Sequence, residues 1–310
     1  MKPRAVAPAR QDSHTHSLYL LSISRAIGAV ASNWLASGLI IPTAKHLQRV
    51  QSKRMRMALA LAGFGMLALT VLAFYWVPPA QGFRDPGSAR IVLFHVPAAF
   101  SCTLAFLAGG FFGWRYLRRR DPMDDLRAAA ANEVGMLFGL ITLLTGMVFA
   151  SMQWGKPWHW DPRQTSFLLQ LMIYTAYFAL RSSVEDDRRR AAVSSGYTVF
   201  AALTVPMLVF ILPRLPMFQE VSLHPSNVMA SKQALDWFYR TGVYLGVITY
   251  WALAFVLYRG RIATYQLEAR IYELADRVEH QYPHRVGWNL RVPAVAAGAN
   301  SETPETTARP

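Results

Sequence analysis

Long, continuous runs of apolar residues alternate with short polar segments over the middle of the chain. A membrane-spanning helix needs about 20 predominantly apolar residues, and six runs approach that length. They are Met57–Val77, Ile91–Trp114, Val134–Met152, Gln164–Leu180, Ala191–Ile211 and Trp237–Tyr258. Because the runs are continuous rather than alternating, they favour helices over the strands of a membrane barrel. The pattern predicts an all-α integral membrane protein with a six-helix transmembrane bundle.

The composition is typical of a membrane protein. Of the 310 residues, 53% are hydrophobic and 16% are charged, whereas a soluble domain carries about a quarter charged residues. This excludes a disordered chain, a collagen-like chain and a disulfide scaffold, and it disfavours a soluble globular enzyme. The one cysteine, Cys102, lies inside an apolar run, so the sequence offers neither a disulfide nor a thiolate metal site.

The formal net charge of +14 is unevenly distributed between the predicted spans. Lysine and arginine are concentrated before the first span, between the second and third, between the fourth and fifth, and after the sixth. Cytoplasmic loops of membrane proteins carry such an excess. The alternation predicts that both termini are cytoplasmic and that three loops face outward: 78–90, 153–163 and 212–236. It also accounts for the charge without a nucleic-acid partner.

The predicted spans divide the chain into three regions. Residues 55–258 form the six-span membrane domain, and residues 259–310 form a cytoplasmic amphipathic helix with a disordered tail. Residues 1–54 form an N-terminal extension, for which three interpretations stay open. The extension is disordered, or it belongs to an overlong start because Met55 and Met57 follow it. Alternatively, its moderately apolar stretch Leu18–Ile41 is a seventh span, despite the cost of placing Arg25 in a membrane.

The predicted outward loop 153–163 contains three tryptophans within seven residues: Trp154, Trp158 and Trp160. An aromatic belt at the membrane interface explains one or two tryptophans at helix ends. It does not explain the turn-forming Gly155 and its neighbouring prolines, or Asp161 and Arg163 at the edge of the loop. A shaped apolar surface with a charged edge suits a flat ligand with an aromatic body and carboxylates, such as a porphyrin. A ligand platform and an aromatic belt both stay open.

Two histidines fall on the same predicted outer side as this loop. His95 lies near the outer end of the second span, where an ionisable residue is a functional candidate, and His224 lies in the third outward loop. The alternative for His95 is a structural hydrogen bond to a neighbouring helix, and the alternative for His224 is a solvated loop side chain. Two neutral imidazoles from different elements can ligate haem iron from opposite faces. His159 is a weaker candidate for a third contact. The candidate partners for the carboxylates are Arg90, Lys156, Arg163 and Arg214.

Three segments together resemble a known family. Trp154–Arg163 resembles the tryptophan-rich WWD motif of the haem-handling proteins of cytochrome c maturation. Leu93–Pro97 resembles the His-Val-Pro segment of the haem exporter protein C (CcmC) branch, and Ser222–Pro225 resembles the segment around that branch's second outer-loop histidine. The similarity covers about residues 55–258. The Asp-Pro-Arg ending of the tryptophan motif is closer to the related CcsA-type proteins, so both branches stay open.

The resemblance implies a site, a location and a set of partners. His95 and His224 are implied as axial ligands of the iron of a transiently bound haem b. The implied location is the bacterial inner (cytoplasmic) membrane, and the chain is multi-pass. The implied partners are haem, a periplasmic haem chaperone or apocytochrome c, other maturation subunits including an ABC-type complex, and the lipid bilayer. The other candidate haem-binding residues are Trp154, Gly155, Trp158, Trp160, Asp161, Arg163 and Arg90.

The sequence favours a haem carrier over an enzyme. It contains no nucleophile–base set for thioether chemistry, so a cytochrome c synthase, the alternative, would act by presenting haem to a bound substrate. A transporter subunit unrelated to haem is a further alternative, disfavoured because the polar groups cluster at one face of the spans. If two histidines hold the iron, release requires one of them to dissociate. We expect the loop-borne His224 to dissociate first, because loops open at lower free energy than packed helices.

Overall fold

The computed structural model describes residues 41–80, 83–224 and 236–281. The chain divides into two compact units, Met1–Arg56 and Met57–Pro310. Within the described ranges every regular element is a helix, which confirms the predicted α-helical class. The interpretations of residues 1–40, including most of the possible seventh span, lie outside the described residues. So do those of loop residues 225–235 and of the tail after Gln281.

Six helices of 19 residues or more follow one another in the described part of the chain. Helix α1 covers Ile41–Val71 and continues as a π-helical segment, Leu72–Trp76. A 3₁₀ turn, Ser88–Ile91, leads into α2, Val92–Arg119. Helices α3, Pro122–Trp154, and α4, Pro162–Ser183, follow. Helix α5, Asp187–Val205, continues as a π-helical segment, Pro206–Ile211, and a 3₁₀ turn, Leu212–Arg214. A single turn, Pro216–Gln219, precedes α6, Trp237–Gln281.

Five segments of these helices are long and apolar enough to cross a membrane, so the chain is a multi-pass α-helical membrane protein. They are Met55–Trp76, Ser88–Arg119, Pro122–Trp154, Asp187–Arg214 and Trp237–Ile271. The predicted fourth span corresponds to α4, which has 22 residues but contains no continuous stretch as apolar as those in the five spans. Its buried face carries Ser166, Gln170, Tyr174 and Tyr177. The fourth span, and with it the six-helix count of the bundle, therefore stays a prediction.

Aspartates begin the middle helices. Asp121 accepts a hydrogen bond from the backbone N–H of Met123, and Asp161 accepts one from that of Arg163. Proline follows each aspartate, and its fixed φ favours the first helical position. Gly155 caps the end of α3, and its φ of +82° is a left-handed conformation that glycine adopts at little cost. The tryptophan loop is thus Gly155–Asp161, shorter than the predicted 153–163, and Trp154 is the last residue of a helix.

Close helix packing holds α2 at the centre of the bundle. A Cβ atom added at Gly110 would lie 2.2 Å from the Cβ of Ala202, and one added at Gly113 would lie 2.5 Å from the Thr198 side chain. Small residues allow two helices in a membrane to approach this closely. Asn132 on α3 donates a hydrogen bond of 2.8 Å to the Thr198 hydroxyl on α5, and both side chains are buried.

The bundle has two chemically different ends. At one, which we call the arginine end, Asp124 and Asp125 at the start of α3 are buried and paired with arginines. Arg181 makes two hydrogen bonds of 2.7 Å to Asp125, and Arg115 and Arg127 bind Asp124. At the other, which we call the tryptophan end, α3 is joined to α4 by the tryptophan loop. The predicted amphipathic tail helix is a direct continuation of α6 at the arginine end, with Leu267, Ile271 and Leu274 exposed.

Candidate ligand-binding site

A cavity of about 750 Å³ lies at the tryptophan end. Helices α2, α3 and α4, the π-helical segment after α5, and the segment ending at His224 all contribute to its wall. Most of the wall is apolar, and pockets of roughly 300–1,000 Å³ with apolar walls and few polar groups are typical small-molecule sites. The apolar lining includes Ile91, Val92, Val96, Phe100, Leu143, Met147, Phe149, Phe167, Val209 and Phe210.

His95 lines this cavity from α2. Its Nδ1 lies 3.0 Å from the Thr145 hydroxyl on α3. Gly146 leaves room for the ring, because a Cβ at that position would lie 3.0 Å from the His95 Cε1. Pro97 lies inside α2 and is buried. Residues of α3 therefore fix the orientation of the His95 ring, and His95 forms part of the cavity wall.

His224 lines the same cavity and is fixed by Asp161. The His224 Nδ1 lies 2.9 Å from Asp161 Oδ1, and the His224 ring packs edge-on against Trp154 with centroids 4.9 Å apart. The other carboxylate oxygen accepts hydrogen bonds from the Ser222 hydroxyl, at 2.9 Å, and the Leu223 N–H, at 2.6 Å. Burial alone would raise the pKa of Asp161, but the hydrogen bond and charge of His224 and the two backbone N–H donors hold it well below its usual range.

Aromatic rings surround one side of the site. Trp154 contacts Phe149, His159 and His224 edge-on, and both Trp154 and Trp158 line the cavity. Trp160 packs edge-on against Trp158 but is 74% exposed and is not part of the cavity wall. Its φ of 56° is unusual for a residue with a side chain.

Three arginines line the cavity: Arg84, Arg163 and Arg214. Burial, and then the like charge of Arg214, lower the pKa of the Arg163 guanidinium, while Asp161 offsets this in part. Gln153 fixes the segment that carries Arg84, because its side chain accepts from the Arg84 N–H at 3.0 Å and donates to the Asp85 carbonyl at 2.9 Å. The cavity thus joins apolar walls to a concentration of positive charge, which suits an amphiphile with anionic groups.

A model of the family described as heme exporter protein C matches residues 40–276 of this chain. The chain belongs to the heme exporter protein C family. The match covers α1 to α5 and most of α6, and it selects the CcmC branch, which the tryptophan motif had left open against the CcsA-type branch.

Bacterial members of the family are similar over different shares of their length. The heme exporter protein C of Paracoccus denitrificans is 29% identical over 221 residues, which is 70% of this chain and 89% of that relative. The Escherichia coli K12 relative is 32% identical over 141 residues, covering 46% of this chain and 57% of its own length. The Rhodobacter capsulatus relative is 32% identical over 144 residues, covering 45% and 59%. The alignment thus spans less than two thirds of the latter two relatives.

In this member of the heme exporter protein C family, five of the nine residues selected from the sequence line one cavity: His95, His224, Trp154, Trp158 and Arg163. The other four are not in the wall. Asp161 acts on His224, Gly155 ends α3, and Trp160 is exposed. Arg90 donates two hydrogen bonds, of 3.1 and 3.0 Å, to the Val77 carbonyl, so in this structure its guanidinium joins the end of α1 to the start of α2.

Several residues of the site were not selected from the sequence. They are Arg84, Gln153, Thr145 and Gly146, none of which belongs to a motif of the sequence analysis. Thr145 and Gly146 do lie on α3 two to three turns before Trp154, and this helical spacing is a signal that could have placed them near the tryptophan loop. Lys156 and His159 are near in sequence but do not line the cavity.

Proposed function

We propose that this protein binds haem in the cavity at the tryptophan end, with His95 and His224 as axial ligands of the iron, and passes it on for cytochrome c maturation. The observation that carries the proposal is that two histidines from distant parts of the chain line one apolar cavity. Histidine is a common axial ligand of haem iron, and two imidazoles complete its axial coordination. Membership of the heme exporter protein C family supports haem as the ligand, and we propose that it is haem b.

The remainder of the cavity fits the two other features of haem. The apolar wall and the rings of Trp154 and Trp158 remove the flat porphyrin from water, which is the main source of affinity for an apolar ligand. Arg84, Arg163 and Arg214 supply positive charge for the two propionates. We assign Arg84 to this role in place of Arg90, because Arg90 is engaged with Val77. We assign Trp160 to the solvent-exposed edge of the haem platform.

We further propose the orientation and the setting of the site. Six spans with the arginine end in the cytoplasm place the cavity at the outer face of the bacterial inner membrane. Arginines concentrate at the cytoplasmic side of membrane proteins, and the alternation of basic segments along the sequence supports this direction. A periplasmic haem chaperone or apocytochrome c then receives the haem, and an ABC-type complex with other maturation subunits drives the hand-over. The protein acts as a carrier: it binds, orients and releases haem.

The experiment is an absorption spectrum with a pyridine haemochrome assay on the detergent-purified protein. We expect near-stoichiometric haem with the low-spin bands of two nitrogen ligands. His95→Ala and His224→Ala should each lose those bands. His159→Ala is the matched control, because His159 belongs to the tryptophan loop but not to the cavity wall, and it should keep them. A double variant of His95 and His224 with an unchanged low-spin spectrum would exclude the proposed ligands.

A further inference from the structure

The two cavity histidines use the same ring nitrogen to contact the protein. Nδ1 of His95 contacts the Thr145 hydroxyl, and Nδ1 of His224 contacts the Asp161 carboxylate. In a neutral imidazole one nitrogen carries a proton and the other carries a lone pair that can bind a metal. The partner of Nδ1 therefore decides whether Nε2 is free for iron. A role for Nε2 in binding iron rests on the proposed function, in which both histidines are haem ligands.

The Thr145 hydroxyl is placed as an acceptor toward His95. Its single proton has a closer partner, since Thr145 Oγ1 lies 2.7 Å from the Ile141 carbonyl and 3.2 Å from the Thr142 carbonyl. A carbonyl can only accept, so the hydroxyl donates to Ile141 and turns a lone pair to the imidazole. His95 must then carry its proton on Nδ1, which leaves the Nε2 lone pair free. The Thr145 hydroxyl is a neutral acceptor.

The Asp161 carboxylate leaves His224 no choice of tautomer. An ionised carboxylate only accepts, so the neutral form of His224 donates from Nδ1 and has a free lone pair on Nε2. Asp161 is 3% exposed, and its second carboxylate oxygen is held by the Ser222 hydroxyl and the Leu223 N–H. A hydrogen bond to a fixed negative charge is stronger than one to a neutral hydroxyl, and it raises the basicity of the ligating nitrogen.

We propose that Thr145 and Asp161 are positioning residues that hold His95 and His224 as Nδ1–H tautomers, with unequal strength, so that His95 is the ligand that leaves the iron first. The bond from His224 is reinforced by a carboxylate, and the bond from His95 is not. This reverses the order expected from the loop position of His224. The hydrogen bonds of Asp161 to three consecutive residues of that loop, Ser222 to His224, supply the reason.

The tautomers are tested on the haem-free protein. The ¹⁵N resonances of a selectively labelled histidine distinguish Nδ1–H from Nε2–H imidazole. We expect the wild-type His95 to be the Nδ1–H tautomer, Thr145→Val to give a mixture, and Thr145→Ser to restore the wild-type spectrum. A wild-type His95 in the Nε2–H form, or a Thr145→Val spectrum identical to the wild type, would overturn the proposal. This measurement needs no haem, so it stands apart from the proposed function.

The order of release is tested on the haem-loaded protein by the rate at which carbon monoxide replaces one axial ligand of the reduced iron. We expect Thr145→Val to accelerate exchange about 10-fold, the lower end of the usual effect of losing such a partner, and Thr145→Ser to leave it near the wild-type rate. Asp161→Asn should accelerate exchange less than Thr145→Val. A larger acceleration in Asp161→Asn would reverse the proposed order and so overturn it.

Further measurements distinguish a failure of the proposed role of Asp161 from a failure of the proposed haem binding. Ser222→Ala removes one loop anchor but keeps the carboxylate beside His224, so it should leave the iron's reduction potential unchanged. Asp161→Asn should raise that potential, because the less basic imidazole stabilises the oxidised iron less. Equal potentials in Asp161→Asn and the wild type would show that Asp161 only anchors the loop, against the proposal. A wild-type protein that binds no haem would instead refute the proposed function. The ¹⁵N spectra of the haem-free protein would still test the role of Thr145.

Discussion

Gly146 shows how a single missing side chain shapes the site. A Cβ atom there would lie 3.0 Å from Cε1 of His95, which is closer than ordinary van der Waals contact. The ring is also held by Thr145, so it cannot move away without losing that hydrogen bond. The orientation of His95 is thus set by two adjacent residues of α3, and neither of them has a side chain that would attract notice as a ligand.

Replacing Gly146 by alanine should separate folding from haem binding. Alanine is favoured over glycine in a helix interior by about 1 kcal/mol, so we expect the thermal midpoint of the detergent-solubilised protein to be unchanged or higher. Haem affinity should fall about 10-fold, because a displaced ligand loses its orientation. The measurement is a hemin titration followed in the Soret band.

The matched control is Gly196→Ala on α5, where an added Cβ would have nothing within 4 Å. It should keep the wild-type affinity. If Gly146→Ala bound haem as tightly as Gly196→Ala does, the position of the His95 ring would not matter for binding.

At the scale of the element, the sequence predicted the helices well and their ends less well. Each predicted span falls on a helix, because continuous apolar runs and Asp-Pro starts are local signals. The predicted loop began at residue 153, but the helix continues to Trp154, where the left-handed Gly155 ends it. The two π-helical segments carry no comparable local signal. Arg84 and Arg90 lie in one short segment, and only tertiary contacts, to Gln153 and Val77, decide which of them reaches the cavity.

Helix α4 is the element whose sequence fits a membrane least, and the packing explains why. Its polar side chains lie on the buried face, and at its end Arg181 meets Asp125 of α3. The side chains of this pair are 15% and 6% exposed. A charge taken from water to this degree needs its partner, because an isolated buried carboxylate is costly. The pair therefore ties the polar helix to the apolar bundle.

Arg181→Leu should destabilise the bundle strongly. It would leave the Asp125 carboxylate buried without its guanidinium, and breaking such a pair costs roughly 3–5 kcal/mol. We expect a lower thermal midpoint in detergent. The double variant Asp125→Asn, Arg181→Leu should recover part of the loss, since no charge is then stranded.

Arg188→Leu is the control for the loss of one positive charge near the same end, because Arg188 is exposed, and it should have little effect. A double variant less stable than Arg181→Leu would show that the stranded charge is not the cause.

At the scale of the whole molecule, the charge pattern predicts on which side of the membrane the cavity lies. The alternation of basic segments predicts a direction in the membrane, and the cavity lies at the end opposite the paired arginines. Helix α3 already places the tryptophan loop opposite the paired arginines, but the basic segments after α4 fit the same direction only if α4 crosses the bilayer. Crossing by a helix whose buried face is polar is physically reasonable, since its polar groups face the bundle and not the lipid.

The chain is well suited to a topology test by cysteine labelling. Its one cysteine, Cys102, is buried, so a cysteine introduced at an exposed position should dominate labelling by a membrane-impermeant maleimide in intact cells. Lys156 in the tryptophan loop, Arg119 at the end of α2 and Arg188 at the start of α5 are all exposed. We expect Lys156→Cys to be labelled from outside, and Arg119→Cys and Arg188→Cys to be labelled only after the membrane is opened, with the unmodified protein as the background.

Labelling of both Lys156→Cys and Arg188→Cys in intact cells would mean that α4 returns to the outer face. The six-span topology would then have to be replaced by five spans with the termini on opposite sides.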